Sequence, residues 1–140
     1  MRHFFLVMAL CAGPAMAEPV CEMRGAEAYD VLEASKAEFL KGDFETFADK
    51  ASAVMGSGRD SLDEPIAQLA GLFPEGFESC QTVLQRKEPG GMVQEVTTFN
   101  IKANDFPMSL YLAAMPIRGE WQIVHLNFDT SVTKVLDTLR

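Results

Sequence analysis

The sequence predicts an α+β protein in which N-terminal helices pack on a curved antiparallel meander sheet of about four strands. Two observations carry this. Apolar residues recur at helical spacing as far as Phe73, and after Gly76 the period changes from helical to alternating. A third is the turn chemistry of the second half, where short connections favour hairpins between sequential strands.

The elements follow in order. From Gly25 to Lys41, Ala28, Leu32, Ser35 and Phe39 recur on one stripe, with Glu and Lys between them. Gly42 suits a helix C-terminus, and Asp43 is placed to cap the next helix. That helix carries Phe44, Phe47, Ala48, Ala51 and Met55 on one face, and "GSGRD" then breaks the chain. Ser61-Leu62-Asp63-Glu64 has capping-box spacing and opens a helix whose apolar face holds Leu62, Ile66, Leu69 and Phe73. Four strand candidates come next: Phe77 to Lys87, Met92 to Ala103, Met108 to Ile117, and Glu120 to Phe128. The turns between them are "EPGG", "NDFP" and "RG". Ser131 starts a short terminal helix with Val132, Val135, Leu136 and Leu139 on one side.

The first residues, "MRHFFLVMALCAGPAMA", have the layout of a secretory signal. Arg2 precedes the apolar run Phe4 to Ala12, and Ala15-Met16-Ala17 gives a small-x-small cleavage pattern. The alternatives are a retained anchor or a lipoprotein on Cys11, but Leu10 sits where lipoprotein signals prefer a small residue. The run is far shorter than the roughly 20 apolar residues that cross a bilayer. The expected organisation is a signal peptide over 1–17 and a single domain over 18–140, with no membrane anchor and a periplasmic or secreted location. Removing 17 of 140 residues also removes one basic group, leaving 11 basic against 20 acidic, or −9. Such a balance argues against nucleic-acid binding. Two cysteines remain, Cys21 and Cys80, and in an exported chain an even count favours a disulfide over two free thiols. With one mature histidine and no clustered ligands, no metal site and no cofactor are expected.

If Arg118-Gly119 is a two-residue turn, His125 faces Leu112, Ile123 faces Ala114 and Trp121 faces Pro116. A four-residue loop at "NDFP" puts Phe99 beyond Leu112, on the side away from His125. One sheet face then carries Leu84, Val93, Phe99, Ile101, Leu110, Leu112, Trp121, Ile123 and His125, and is the side expected to meet the helices. Cys80 shares it by parity, as a bridge to Cys21 would demand. The other face carries Val96, Tyr111, Ala113, Val124, Leu126 and Phe128 among polar residues. It is too apolar for open solvent. A homodimer through Tyr111, Val124, Leu126 and Phe128 is one cover, and the C-terminal helix is the other.

Helices followed by a long curved meander, with "GDFETFADKAS" in the second helix and Gly119-Glu120-Trp121-Gln122-Ile123-Val124-His125 in the last strand, resemble the nuclear transport factor 2-like superfamily. This is the cystatin-like, ketosteroid isomerase-like α+β cone. The resemblance spans about Ala26 to Phe128. It implies a cone-shaped domain whose concave face and helices enclose a pocket, often in a dimer that buries the opposite face. The residues placed to line such a pocket are Tyr29, Phe99, Leu112, Trp121, Ile123, His125 and Asn127. Several relatives have a second histidine two residues after the first; here that position is Asn127. A ketosteroid isomerase-type acid set has no counterpart, because Tyr29 and Asp30 are neighbours on one helix and point apart.

His125 is the only weak candidate for catalysis. A general base needs an orienting partner, and Glu95, the one acid on the same face, aligns with the Trp121 end of the sheet. A structural or ligand-lining histidine is the simpler reading. Three functions stay open at this stage. One is an exported, non-catalytic domain that binds a small apolar ligand or a partner. Another is an isomerase, cyclase or dehydratase using His125. The third is a pocketless structural dimer.

Overall fold

The computed structural model describes residues 17–55, 58–101 and 107–139. The signal-like run with Cys11 lies outside the described residues, as do most of "NDFP" and part of "GSGRD". Among the described residues ten elements follow one another: β1 (Glu22–Met23), α1 (Asp30–Lys41), α2 (Phe44–Ala51), α3 (Gly58–Ser61), α4 (Asp63–Leu72), β2 (Ser79–Lys87), β3 (Val93–Asn100), β4 (Met108–Ile117), β5 (Glu120–Asp129) and α5 (Val132–Leu136). The class is α+β. The sheet order is β1-β2-β3-β4-β5. The last four strands form the antiparallel meander, and β1 adds a parallel edge through Glu22–Gln81 and Met23–Thr82. The sheet is therefore five-stranded and mixed, not a four-stranded meander. A two-residue strand has no period to read from sequence.

Helix α1 begins at Asp30, five residues later than its stripe predicts, because Tyr29 is already extended. It ends as expected, with Gly42 in the left-handed region at φ 82°, and Asp43 caps α2 by accepting the Thr46 N–H at 3.2 Å. The capping box at Ser61 does not form. Gly58–Ser61 makes a turn of its own, the Ser61 hydroxyl donates back to Gly58 O at 2.7 Å, and the N-cap of α4 is Leu62. Gly42 and Gly76 meet where α1 hands over to the sheet: a Cβ on Gly76 would lie 2.3 Å from Leu40 O, and Phe77 N–H bonds that same carbonyl at 2.8 Å.

The main core lies between α1, α2, α4 and one sheet face. Phe39, fully buried, has ring contacts with Phe44, Phe47, Phe77, Phe99 and Phe128 at 4.8 to 6.1 Å between centroids. Cys21 and Cys80 are joined, with Cα atoms 4.8 Å apart, and the bridge pins β1 beside β2.

Two irregularities redistribute the sheet faces. The Arg118-Gly119 turn is the expected two-residue hairpin with both φ positive (52° and 83°), and Trp121 faces Pro116 and Ile123 faces Ala114 as predicted. A bulge between Ala113 and Ala114 then inserts one residue in β5. His125 pairs with Ala113 and Leu126 with Leu112. A shift of one residue exchanges faces, so Leu126 and Phe128 join the main core, and His125 and Asn127 leave it. A second irregularity between Thr82 and Leu84 sends Leu84 to the opposite face. The β3–β4 register is also four residues from expectation, since Phe99 pairs with Met108. Four is even, so Phe99 keeps its face. On the far face Val96, Tyr111, Ala113 and Val135 are buried together, with Leu84, Val124 and Leu139 against them. The C-terminal helix covers part of that face through Val135.

Candidate functional site

Two features lie at the end of the sheet where α1 begins, and they are physically linked. The first is a shallow groove open to solvent, about 530 Å³, lined by Ala17, Glu27, Ala28, Tyr29, Asp30, Val31, Glu120 and Trp121. Tyr29 arrives from the extended residue before α1 and Trp121 from the start of β5, and their rings meet at 4.8 Å with a 53° tilt. Both are half-buried, while Glu27, Asp30 and Glu120 are exposed around them. The Lys87 ammonium lies 5.9 Å from the centre of the Tyr29 ring and pairs with the Glu27 carboxylate. That hydrogen bond with Lys87 holds the Glu27 carboxyl below its ordinary value.

The second feature is a buried charge cluster. Lys36 is 0 % exposed, Glu33 4 % and Glu95 1 %. The Lys36 ammonium sits 2.6 Å from Glu33 Oε1, 3.0 Å from Glu95 Oε2 and 3.2 Å from Thr82 Oγ1. It hydrogen-bonds Glu95 and Thr82 and forms an ion pair with Glu33, whose Oε1 has no hydrogen-bond partner. Glu33 Oε2 accepts the Val20 N–H at 2.8 Å, which ties the segment before the disulfide to α1. Burial pushes the Glu95 carboxyl above its ordinary value; the Lys36 charge and the hydrogen bonds from Lys36 and Gln85 oppose that rise, and the Glu33 charge adds to it.

Gln85 joins the two features. Its Nε2 donates to Glu95 Oε1 at 2.8 Å and to Glu27 O at 2.7 Å, and its Oε1 accepts the Glu27 N–H at 2.9 Å. The side-chain amide so pairs with the backbone of the groove wall much as a neighbouring strand would.

The residues singled out from sequence divide into three groups. Tyr29 and Trp121 come together in the groove. Phe99, Leu112 and Ile123 lie on the helix-covered face, but they are packed into the core at 0 %, 1 % and 2 % exposure. His125 and Asn127 were expected on that face and are on the other. His125 is exposed and lies edge-on to Tyr111 at 5.7 Å, and Asn127 donates to Thr138 Oγ1 at 2.9 Å. Tyr111 itself is buried and donates to Gln94 Oε1 at 2.8 Å. The bulge separates His125 from the groove and from Glu95.

Lys36, Glu33 and Gln85 carry the site and were not picked out from sequence. A signal existed for Lys36: it lies four residues after Leu32 and three before Phe39, inside the apolar stripe rather than beside it. No group of three or more His, Cys, Asp or Glu among the described residues could hold a metal ion. No helix among the described residues is long and apolar enough to cross a membrane. Comparison with protein-family models, curated proteins and solved structures finds no match to this chain.

Proposed function

We propose that this chain is an exported, non-catalytic binding or accessory domain, periplasmic or secreted, of the nuclear transport factor 2-like type. Its ligand contact is the Tyr29–Trp121 groove. The order of N-terminal helices and meander supports the family reading, and the disulfide suits an oxidising compartment. The observation that carries the binding reading is the pair of half-buried aromatic rings on an open groove rimmed by Glu27, Asp30 and Glu120. The phenylalanine-filled interior leaves the groove as the better place for a ligand than an enclosed cone pocket.

The chemistry of the wall favours a small amphipathic ligand with an apolar body and a positive group. Aromatic faces attract cations, and Tyr29 already has the Lys87 ammonium near its ring. Cleavage after Ala17 would remove one of the residues that line the groove. The enzyme reading loses its support with His125 exposed on the other face.

Trp121 is the only tryptophan of the chain, so its fluorescence reports on the groove directly. Titration of the mature protein with phenethylammonium, phenylacetate and phenethyl alcohol tests the proposal. The expected result is a saturable change with the ammonium compound alone, weakened about tenfold or more by Tyr29→Ala, on the order of 1.4 kcal/mol. No saturable change with any of the three, or an equal response to the anion, would overturn it.

A further inference from the structure

We propose that Glu95 is a proton-binding site whose protonation releases the groove wall by turning the Gln85 amide. Every partner of Glu95 in the structure is a donor. Lys36 Nζ faces Oε2 at 3.0 Å, and Gln85 Nε2 faces Oε1 at 2.8 Å. This arrangement suits the carboxylate only. A neutral carboxyl must itself donate one hydrogen, and neither neighbour can accept it as placed.

The charge balance nevertheless favours a proton in the cluster. Two carboxylates share one ammonium in a region of 0 to 4 % exposure, leaving one uncompensated negative charge when both are ionised. Buried unpaired charge is costly, and a buried group commonly neutralises instead. Of the two carboxylates, Glu33 is the better anion. It lies in the first turn of α1, where the helix dipole favours negative charge, and it accepts the Val20 N–H at 2.8 Å and pairs with Lys36 at 2.6 Å. Glu95 lies inside β3. The charged and polar groups facing it are Lys36 and Glu33 from α1 and Gln85 from β2, while its partner across the sheet, Leu112 in β4, carries no charge.

A proton on Glu95 Oε1 needs an acceptor, and the amide oxygen of Gln85 is the group in reach. Rotating the Gln85 amide by half a turn brings that oxygen to Glu95. The same rotation sets Nε2 against the Glu27 N–H and Oε1 against the Glu27 carbonyl, donor to donor and acceptor to acceptor. Both bonds that now tether Glu27, at 2.9 and 2.7 Å, are lost. Residues 27–29, which supply Glu27, Ala28 and Tyr29 to the groove, are then held from the α1 side, by Lys87 and by the Tyr29–Trp121 ring contact. The proton site stands without any ligand; its effect on binding rests on the groove being the binding site.

The test is made on the protein alone, as carboxyl shifts of Glu95 and amide exchange of Glu27 across pH, with exchange corrected for its intrinsic pH dependence. Glu95 should titrate above an ordinary glutamate. The Glu27 amide should be protected above that midpoint and lose protection about tenfold or more below it, with the Gln85 side-chain amide shifting at the same midpoint. Glu95→Gln should remove this pH dependence. Gln85→Ala should leave Glu27 unprotected at every pH while Glu95 still titrates. An ordinary or depressed Glu95 midpoint, or Glu27 protection indifferent to it, overturns the inference even if neither variant folds. The fluorescence titration above separates a failure here from a failure of the groove as a binding site.

Discussion

Lys36 shows how a charged residue can occupy the centre of an apolar stripe. Its long stem packs like a hydrophobe, and its ammonium hydrogen-bonds Glu95 and Thr82 and pairs with Glu33. Removing the cation alone leaves two buried carboxylates facing each other, so Lys36→Met should destabilise by about 3–5 kcal/mol. The triple change Lys36→Met, Glu33→Gln, Glu95→Gln should recover part of that loss, and urea unfolding of the two variants checks it. Equal stability of the single variant and the parent would show that the cluster is not closed to water. His125 has the opposite character. Its position by strand alternation alone would give a buried, costly histidine, whereas the bulge leaves it exposed beside Tyr111. His125→Ala should therefore change stability by no more than about 0.5–1 kcal/mol. A thermal melt suffices, and a loss of several kcal/mol would place the imidazole back in the core.

At the scale of elements, α5 is the decisive cover. Val135 is 0 % exposed and packs with Val96, Tyr111 and Ala113 on the far sheet face. Ending the chain at Asp129 should uncover that apolar surface. The truncated protein is expected to bind an apolar dye and to self-associate in sedimentation, while a truncation that stays monomeric and dye-free would show the face needs no cover. The seam of Gly42 and Gly76 is a second element-scale constraint. Gly76 combines φ 70° with a Cβ position 2.3 Å from Leu40 O, so Gly76→Ala adds backbone strain to a steric overlap. It should destabilise by more than the roughly 0.4–1 kcal/mol that an unstrained glycine-to-alanine change gains, measured by denaturant unfolding.

For the whole molecule, the disulfide and the buried carboxyls govern how stability depends on conditions. Replacing Cys21 and Cys80 by serine should cost about 2–5 kcal/mol, read from melts of the oxidised parent and the double variant. Two carboxyls act on opposite sides of the ordinary glutamate value of 4.5. Glu38 is held below it by Lys41 and then Lys50, so its contribution is present above 4.5 and fades as pH falls through the depressed value. Glu95 is raised, so the folded protein binds that proton more tightly than the unfolded chain. Its contribution to stability grows as pH falls from above the raised value towards 4.5, and it declines again as pH rises. Unfolding across pH should therefore show an acid limb flattened by Glu38→Gln and a separate limb above 4.5 flattened by Glu95→Gln.

Local periodicity was enough to determine the α+β class, the helix α2 stripe, the four meander strands to within about three residues, and the Arg118-Gly119 hairpin. Helical and alternating periods arise from neighbours a few residues apart, and those are written directly in the chain. Parity also placed Cys80 on the helix side, where the bridge to Cys21 forms. The tertiary structure alone decided which residues share the site. A bulge in β5 carries no marker in "EWQIVHLNF", yet one inserted residue exchanged His125 for Leu126 on the core face. The pairing of Lys36 with Glu95, 59 positions apart, and the Gln85 bridge to Glu27, 58 apart, depend on how α1 lies across β2 and β3. Contacts of that range are set by packing of whole elements, and no local period encodes them.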